Sequence, residues 1–394
     1  MFGMAYGCRN FGLVLSVAFL VLAALITWLS LRVLATLALD FQETKPTFYS
    51  VSETLIPRFK WLLDVALIIN CFGGVIAYVQ TFGKLLSEGM FGIFQWDLTS
   101  MSLETVAIII QACILVCLAP LCMMKELSST KIANMIGLLC ILYIVVMTFF
   151  YTPCTAASTE LLKPGNALAA FGSFPTFIFA YACQQNVFSV VNEMKDVNAK
   201  RMNTVAVGST LTGFIIYLPL MLLPFLTFGA GIKSNYLYNL VPSVVQADGS
   251  IIRTGKPEIP VIIAFIFASL SVSISYVLLL QPVRGSIMSL IYGNNQPTGK
   301  KEKTIRMILV VGLMAASYGL AVLLGDAIDL PINIAGLLGG NTMCFVVPFI
   351  LYFRKYGFDR KNRFSMLVAA TLIFCILLYP ICLTGIIYSA VQKS

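Results

Sequence analysis

Histidine is absent from this sequence, and charged residues are scarce. None of the 394 residues is histidine, and only 11% are Asp, Glu, Lys or Arg. Without imidazole the chain cannot build Ser-His catalytic machinery, a histidine proton relay or the commonest zinc centres. The eleven cysteines form no CxxC pair and lie mostly within apolar runs, so we interpret them as small hydrophobic residues. An enzyme, a metal site and a bound cofactor are therefore not expected.

Long apolar segments dominate what is present. Hydrophobic residues make up 59% of the chain, and its mean hydropathy is +0.91, which predicts an all-α polytopic membrane protein in a lipid bilayer. The segments are too long for barrel strands, and no loop between them could hold a soluble domain, so residues 1–394 form a single transmembrane domain. Ten spans are predicted, at residues 11–34, 61–86, 104–124, 131–152, 166–191, 202–230, 258–283, 305–325, 330–353 and 364–389.

The basic residues predict an orientation rather than a nucleic-acid partner. The formal net charge is +9, but the Lys and Arg residues are confined to short segments at and between the span ends. Nineteen of them follow the odd-numbered spans and seven lie elsewhere. By the positive-inside rule the first set faces the cytosol, which places the start of the first span on the outer side. No nucleic acid is expected to bind.

The fifth span and its exit are the most specific part of the sequence. Residues 171–196 are "FGSFPTFIFAYACQQNVFSVVNEMKD". They resemble a helix of the amino acid/auxin permease family, in which F-A-F-x-C-H is followed by an acidic E-[LM]-K-D exit. Gln184 stands where that family often has histidine, and Gln185 where proline often interrupts the helix.

Four further segments resemble the same family in the same order, so the resemblance covers essentially the whole chain. They are "GMAYGCRNFG" at 3–12, "PLCMMKELSSTKIANMIGLLCILYIVV" at 120–146, "LLLQPVRGSI" at 278–287 and "DLPINIAGLLGGNTMCFVVPFILYFRKYGF" at 329–358. Among its members the chain looks most like the sodium-coupled neutral amino-acid transporters of the amino-acid/polyamine/organocation superfamily.

The resemblance implies a LeuT-like fold of two inverted five-helix repeats and one extra helix. It assigns residues 1–10 to a remnant of the first family helix, 11–152 to the rest of the first repeat, 166–353 to the second repeat and 364–389 to the extra helix. The family has eleven spans and ten are predicted here, so we expect one helix to be missing upstream. The alternative is a ten-span protein with a short external N-terminus.

The resemblance also implies a substrate site halfway across the membrane, where a helix is interrupted. An unwound stretch frees backbone N–H and C=O groups, which can hold the carboxylate and ammonium of an amino acid without a buried charged side chain. The interruption is predicted between Ala180 and Gln184; the alternative is an unbroken packing helix. The implied substrate-binding residues are Phe179, Ala180, Tyr181, Ala182, Cys183, Gln184, Asn70 and Tyr6.

A coupling-ion site is implied in the seventh span. Ser273 and Ser275 align with a family T-x-T pair in which one hydroxyl helps to bind sodium, and hydroxyl oxygens suit hard cations. The alternative is that these serines pack the helix and bond their own preceding-turn carbonyls.

The predicted function is secondary active transport of amino acids, driven by a sodium or proton gradient, by alternating access around the mid-membrane site. An amino-acid sensor on the same fold is the alternative. Plasma membrane and vacuole or lysosome are both compatible with the sequence, and the amino acid, the coupling ion and the oligomeric state cannot be read from it.

Overall fold

The computed structural model describes residues 3–41, 47–94, 103–124, 131–154, 166–245, 251–253, 257–292, 297, 299–325 and 329–393. Almost all of these residues are helical, because a backbone in lipid must satisfy its hydrogen bonds within the segment. The helices are α1 (Met4–Asp40), α2 (Phe48–Leu55), α3 (Lys60–Phe94), α4 (Leu103–Cys122), α5 (Lys131–Tyr151), α6 (Ala167–Ala180), α7 (Val187–Glu193), α8 (Ala199–Phe228), α9 (Ile259–Tyr292), α10 (Gly299–Leu324), α11 (Asp329–Ile334), α12 (Val347–Tyr356) and α13 (Arg363–Lys393).

Shorter elements connect them. Single 3-10 turns cover Pro57–Phe59, Gln184–Asn186, Gly229–Gly231 and Tyr236–Leu240, and a π-helical segment, Ala335–Val346, joins α11 to α12. A small antiparallel hairpin pairs β1 (Ser243–Val245) with β2 (Ile251–Arg253), in the loop between α8 and α9.

Nine helical stretches in the described ranges are long and apolar enough to cross a membrane. They correspond to nine of the ten predicted spans. The remaining one, predicted at 166–191, is divided into α6 and α7 by a non-helical stretch. The all-α, multi-pass architecture expected from hydropathy is confirmed.

Several helix boundaries were predicted wrongly. The spans predicted at 258–283 and 305–325 are too short: α9 continues to Tyr292 and α10 begins at Gly299. The loop after the first span contains the unpredicted helix α2, which Thr47 and Ser50 cap reciprocally. Hydropathy marks where a helix leaves the hydrocarbon, whereas backbone hydrogen bonding continues beyond that point.

Two long helices form the centre of the bundle. The antiparallel register of α3 and α9 is set by polar contacts at both ends: Ser269 Oγ donates to the Phe82 carbonyl at 2.9 Å, and Ser289 Oγ donates to Asp64 Oδ2 at 3.1 Å. The π-helical segment packs on α3 and α6 and is buried at every residue except Leu338. The divided crossing packs on the π-helical segment and on α1, α11 and α13.

The first helix is itself divided near its start. Gly12 has φ 70° and ψ 170°, so Met4–Phe11 and the longer part of α1 meet at a kink. Only glycine adopts this conformation readily. Met4–Phe11 lies against α6: the rings of Phe11 and Phe177 meet edge to face at 5.6 Å, and Asn10 Nδ2 donates to Ser173 Oγ at 3.0 Å.

Candidate functional site

The candidate site is the interruption between α6 and α7. The α-helix ends at Ala180, Tyr181 caps it, and regular structure resumes with the 3-10 turn that begins at Gln184. The interruption therefore lies at Tyr181–Cys183, inside the range of 180–184 predicted from the sequence. The alternative of an unbroken packing helix is excluded.

The interruption changes the hydrogen bonding of the backbone. The Tyr181 N–H is shared between the carbonyls of Phe177 and Ile178, and the Ala182 N–H bonds Phe179 O at 3.2 Å, one residue short of the α-helical partner. Gln184 Oε1 accepts from the Cys183 N–H at 2.9 Å. Side chains thus replace part of the lost helical ladder, as buried backbone groups require.

A tyrosine from another helix also replaces one of the lost helical hydrogen bonds. Tyr217 of α8 donates from its hydroxyl to the Ala180 carbonyl at 2.9 Å, and its ring meets the Tyr181 ring edge to face at 5.3 Å. Sequence analysis missed Tyr217, since a lone tyrosine in an apolar span has many roles. The only available signal was its aromatic hydroxyl at membrane depth.

Unpartnered polar atoms collect around the interruption. Within the described part of the chain, the Tyr181 hydroxyl, Gln184 Nε2 and Gln185 Oε1 are buried and have no hydrogen-bond partner. A buried polar atom without a partner is costly, and such groups are rare unless a ligand or water satisfies them. Their convergence at one broken crossing is what a polar ligand would require.

Asn70 is brought close to this region by the π-helical segment. A Cβ placed on Gly340 would lie 3.1 Å from Asn70 Oδ1 of α3 and 3.4 Å from Ile178 Cγ2 of α6. Only the backbone of this glycine therefore lies between the two helices at this point. Asn70 is buried and its Oδ1 has no partner among the described residues. The glycine-rich 335–346 stretch was noted in the sequence, but its π-helical form was not predicted.

Three other predicted residues, Phe179, Ala182 and Cys183, lie in the same neighbourhood. The ring of Phe179 fills the space over Gly74 of α3, where a Cβ would come within 2.7 Å of it. Ala182 and Cys183 are half-buried within the interruption itself.

Tyr6 lies on Met4–Phe11, beside α6. It is half-buried, and its neighbour Gly7 approaches Phe177 closely, at 3.6 Å from an added Cβ. Tyr6 therefore lies on the part of α1 that packs beside α6, the first half of the divided crossing. Its role in substrate binding stays a prediction.

The two serines of the predicted ion site lie on α9. Ser273 Oγ donates to Ser269 O at 2.8 Å, and Ser275 Oγ donates to Ser271 O at 2.9 Å. These are the preceding-turn bonds of the packing alternative. Each bond uses the hydroxyl proton and leaves oxygen lone pairs, so cation binding at these serines also stays a prediction.

Comparison with known proteins agrees with this geometry. The family model described as "transmembrane amino acid transporter protein" matches residues 1–392. Vacuolar amino acid transporter 6 of Saccharomyces cerevisiae is 23% identical, with 91% of this chain and 87% of that protein aligned. Sodium-coupled neutral amino acid transporter 4 of Homo sapiens is 22% identical over 48% of this chain and 31% of its own length.

Solved structures share the fold at low sequence identity. The structure titled "Crystal structure of MhsT in complex with L-phenylalanine" superposes with a TM-score of 0.56 at 15% identity, covering 96% of this chain and 94% of that one. A manganese transporter from Eremococcus coleocola gives a TM-score of 0.52 at 13% identity, covering 96% and 81%. The fold is thus the LeuT-like transporter fold that the resemblance implied.

Proposed function

Because this chain belongs to the transmembrane amino acid transporter family, we propose that it is a secondary active transporter that binds an amino acid at the interruption Tyr181–Cys183. The observation that supports this most directly is the convergence of unpartnered polar atoms on a broken, buried crossing. The vacuolar transporters that align over most of this chain favour a vacuolar or lysosomal membrane over the plasma membrane.

The chemistry of the interruption suits a zwitterion. Gln184 Nε2 supplies a donor for a carboxylate, while backbone carbonyls and Gln185 Oε1 supply acceptors for an ammonium group. Neither half needs a buried charged side chain, which would be expensive at membrane depth. Phe179, Tyr181 and Tyr217 then border the space left for the substrate's own side chain.

The divided architecture supports transport rather than binding alone. Two short helical halves joined by three non-helical residues can change their relative angle by backbone rotation at the joint. The substrate site would then open alternately to the two sides of the membrane. A sodium or proton gradient would supply the free energy, with Ser273 and Ser275 as candidate sodium ligands.

The experiment is uptake of labelled amino acids by the purified chain in proteoliposomes. We expect saturable uptake that requires an imposed sodium or proton gradient. Tyr181→Phe removes only an unpartnered buried hydroxyl and keeps the ring that meets Tyr217, so it should weaken substrate binding while the protein stays folded. Binding without flux would indicate a sensor. Absence of both binding and flux would refute the proposal.

A further inference from the structure

A second site lies outside the transport pathway, in a groove between α1 and α8. Its volume is about 430 Å³, within the range of roughly 300–1,000 Å³ typical of small-molecule sites. Three side chains from each helix form most of its surface: Val21, Leu25 and Trp28 of α1, and Val207, Leu211 and Phe214 of α8. Val21, Leu25, Val207 and Leu211 are exposed, so the groove opens on the outer face of the bundle.

The lining of the groove selects hydrocarbon as its occupant. The one hydroxyl on its surface, Thr210 Oγ1, already donates to Ala206 O at 2.8 Å. Water would find few partners there. The lining residues fall inside the predicted spans 11–34 and 202–230, so acyl chains rather than water contact the groove.

A cation marks one end of the groove. The guanidinium of Arg32, one helical turn beyond Trp28, lies 5.6 Å from the centre of the Trp28 ring and 5.0 Å from that of Phe364. Arg32 is exposed, and none of the described carboxylates lies within ion-pair distance of it. Lys200, also exposed, begins α8 near the same predicted membrane surface.

The depth of Arg32 matches that of a lipid headgroup. It lies two residues before the predicted cytosolic end of its span, and anionic lipids are concentrated in the cytosolic leaflet. A guanidinium held between two aromatic rings keeps its planar fork oriented, which suits two parallel hydrogen bonds to a phosphate.

We propose that this groove binds an anionic phospholipid of the cytosolic leaflet, with one acyl chain between α1 and α8 and its phosphate on Arg32. The groove is separate from the interruption in the fifth span, so a test of this site is independent of the transport proposal.

Tryptophan fluorescence offers a direct test because the chain has only three tryptophans. With Trp61→Phe and Trp96→Phe, Trp28 is the only tryptophan, it can be excited at wavelengths where tyrosine does not absorb, and it lines the groove. The full chain is reconstituted in vesicles that contain either dibrominated phosphatidylglycerol or dibrominated phosphatidylcholine at equal mole fraction. Bromine quenches tryptophan only at short range, so the extent of quenching reports which lipid occupies the groove.

We expect the anionic lipid to be preferred about fivefold, the factor associated with one basic residue at the membrane surface. Arg32→Gln should abolish this preference. Lys303→Gln removes an exposed basic residue from α10 and should leave the preference intact. Ala24→Leu, which narrows the groove, should reduce quenching by both lipids. Circular dichroism and a monodisperse gel-filtration peak establish that each variant is folded.

Four results would overturn the proposal. Equal quenching by the two lipids would mean ordinary annular lipid, and a preference that survives Arg32→Gln would place the phosphate elsewhere. Relief of quenching by a trace of sterol would assign the groove to a sterol. Absence of quenching by either lipid would mean that protein, such as a second copy of the chain, covers the groove.

Discussion

The hydroxyl of Tyr217 donates to the backbone carbonyl of Ala180 at 2.9 Å, although the two residues lie on different helices. Ala180 is the last residue of α6, so its carbonyl has lost the N–H that a continuing helix would supply. The Tyr217 hydroxyl replaces that N–H as the hydrogen-bond donor. The orientation of a group at the candidate substrate site is thus set by a side chain of α8.

Tyr217→Phe should therefore impair transport more than folding. A typical hydrogen bond is worth about 0.5–1.5 kcal/mol, so the apparent KM for the amino acid should rise by about two- to tenfold. Concentration dependence of uptake in proteoliposomes measures this. Tyr143→Phe is the matched control, since the Tyr143 hydroxyl makes an equivalent bond to Pro260 O at 3.0 Å on a different helix pair. Equal effects of the two substitutions would mean that Tyr217 has no special link to substrate.

Gly336→Ala should destabilise the bundle strongly. A Cβ at Gly336 would lie 2.1 Å from the Pro175 carbonyl oxygen, so α6 and the π-helical segment would have to separate. Overpacking of this kind typically costs about 1–3 kcal/mol or more, and we expect a lower thermal transition in detergent. Gly312→Ala on α10 has no atom within 4 Å of the added Cβ and should leave the transition unchanged or slightly raised. Similar behaviour of the two variants would contradict the packing described here.

Gly12→Ala tests the kink in α1. The backbone of Gly12 has φ 70° and ψ 170°, a conformation that costs a residue with a Cβ about 1–3 kcal/mol. Folded yield and thermal stability should both fall. Gly208→Ala, within α8 and with open space around it, is the control and should be tolerated. Tolerance of both substitutions would mean that α1 passes through residue 12 as a continuous helix.

Ser273→Ala and Ser275→Ala test the proposed ion site. If either hydroxyl oxygen binds a coupling cation, its loss should raise the sodium concentration needed for half-maximal uptake, with little change at saturating sodium. Thr384→Ala removes the same kind of preceding-turn bond, 2.7 Å to Pro380 O, at an exposed position on α13 and should have no effect. Uptake that depends on a proton gradient and ignores sodium would exclude the sodium role for both serines.

Hydropathy and the family resemblance predicted the spans and the place of the interruption because both depend on local composition. The stretch from Ala180 to Gln184 has no proline, yet its match to the family motif located the break. Neighbouring groups were less predictable. The role of Tyr217 and the π-helical form of Ala335–Val346 depend on which helices pack together. No periodicity or spacing in the sequence indicates that pairing. Ser273 and Ser275 could be placed on a helix, and their preceding-turn bonds were one of the two alternatives.

The contact between α6 and α13 has its own consequence. A Cβ on Gly385 would lie 2.4 Å from the backbone nitrogen of Gly172, so the two main chains touch with no side chain between them. An interface without side chains has no rotamers to rearrange and cannot slide by repacking. In the proposed transport cycle, rocking of α6 would therefore move α13 with it, which couples that motion to a helix that reaches the lipid-facing periphery.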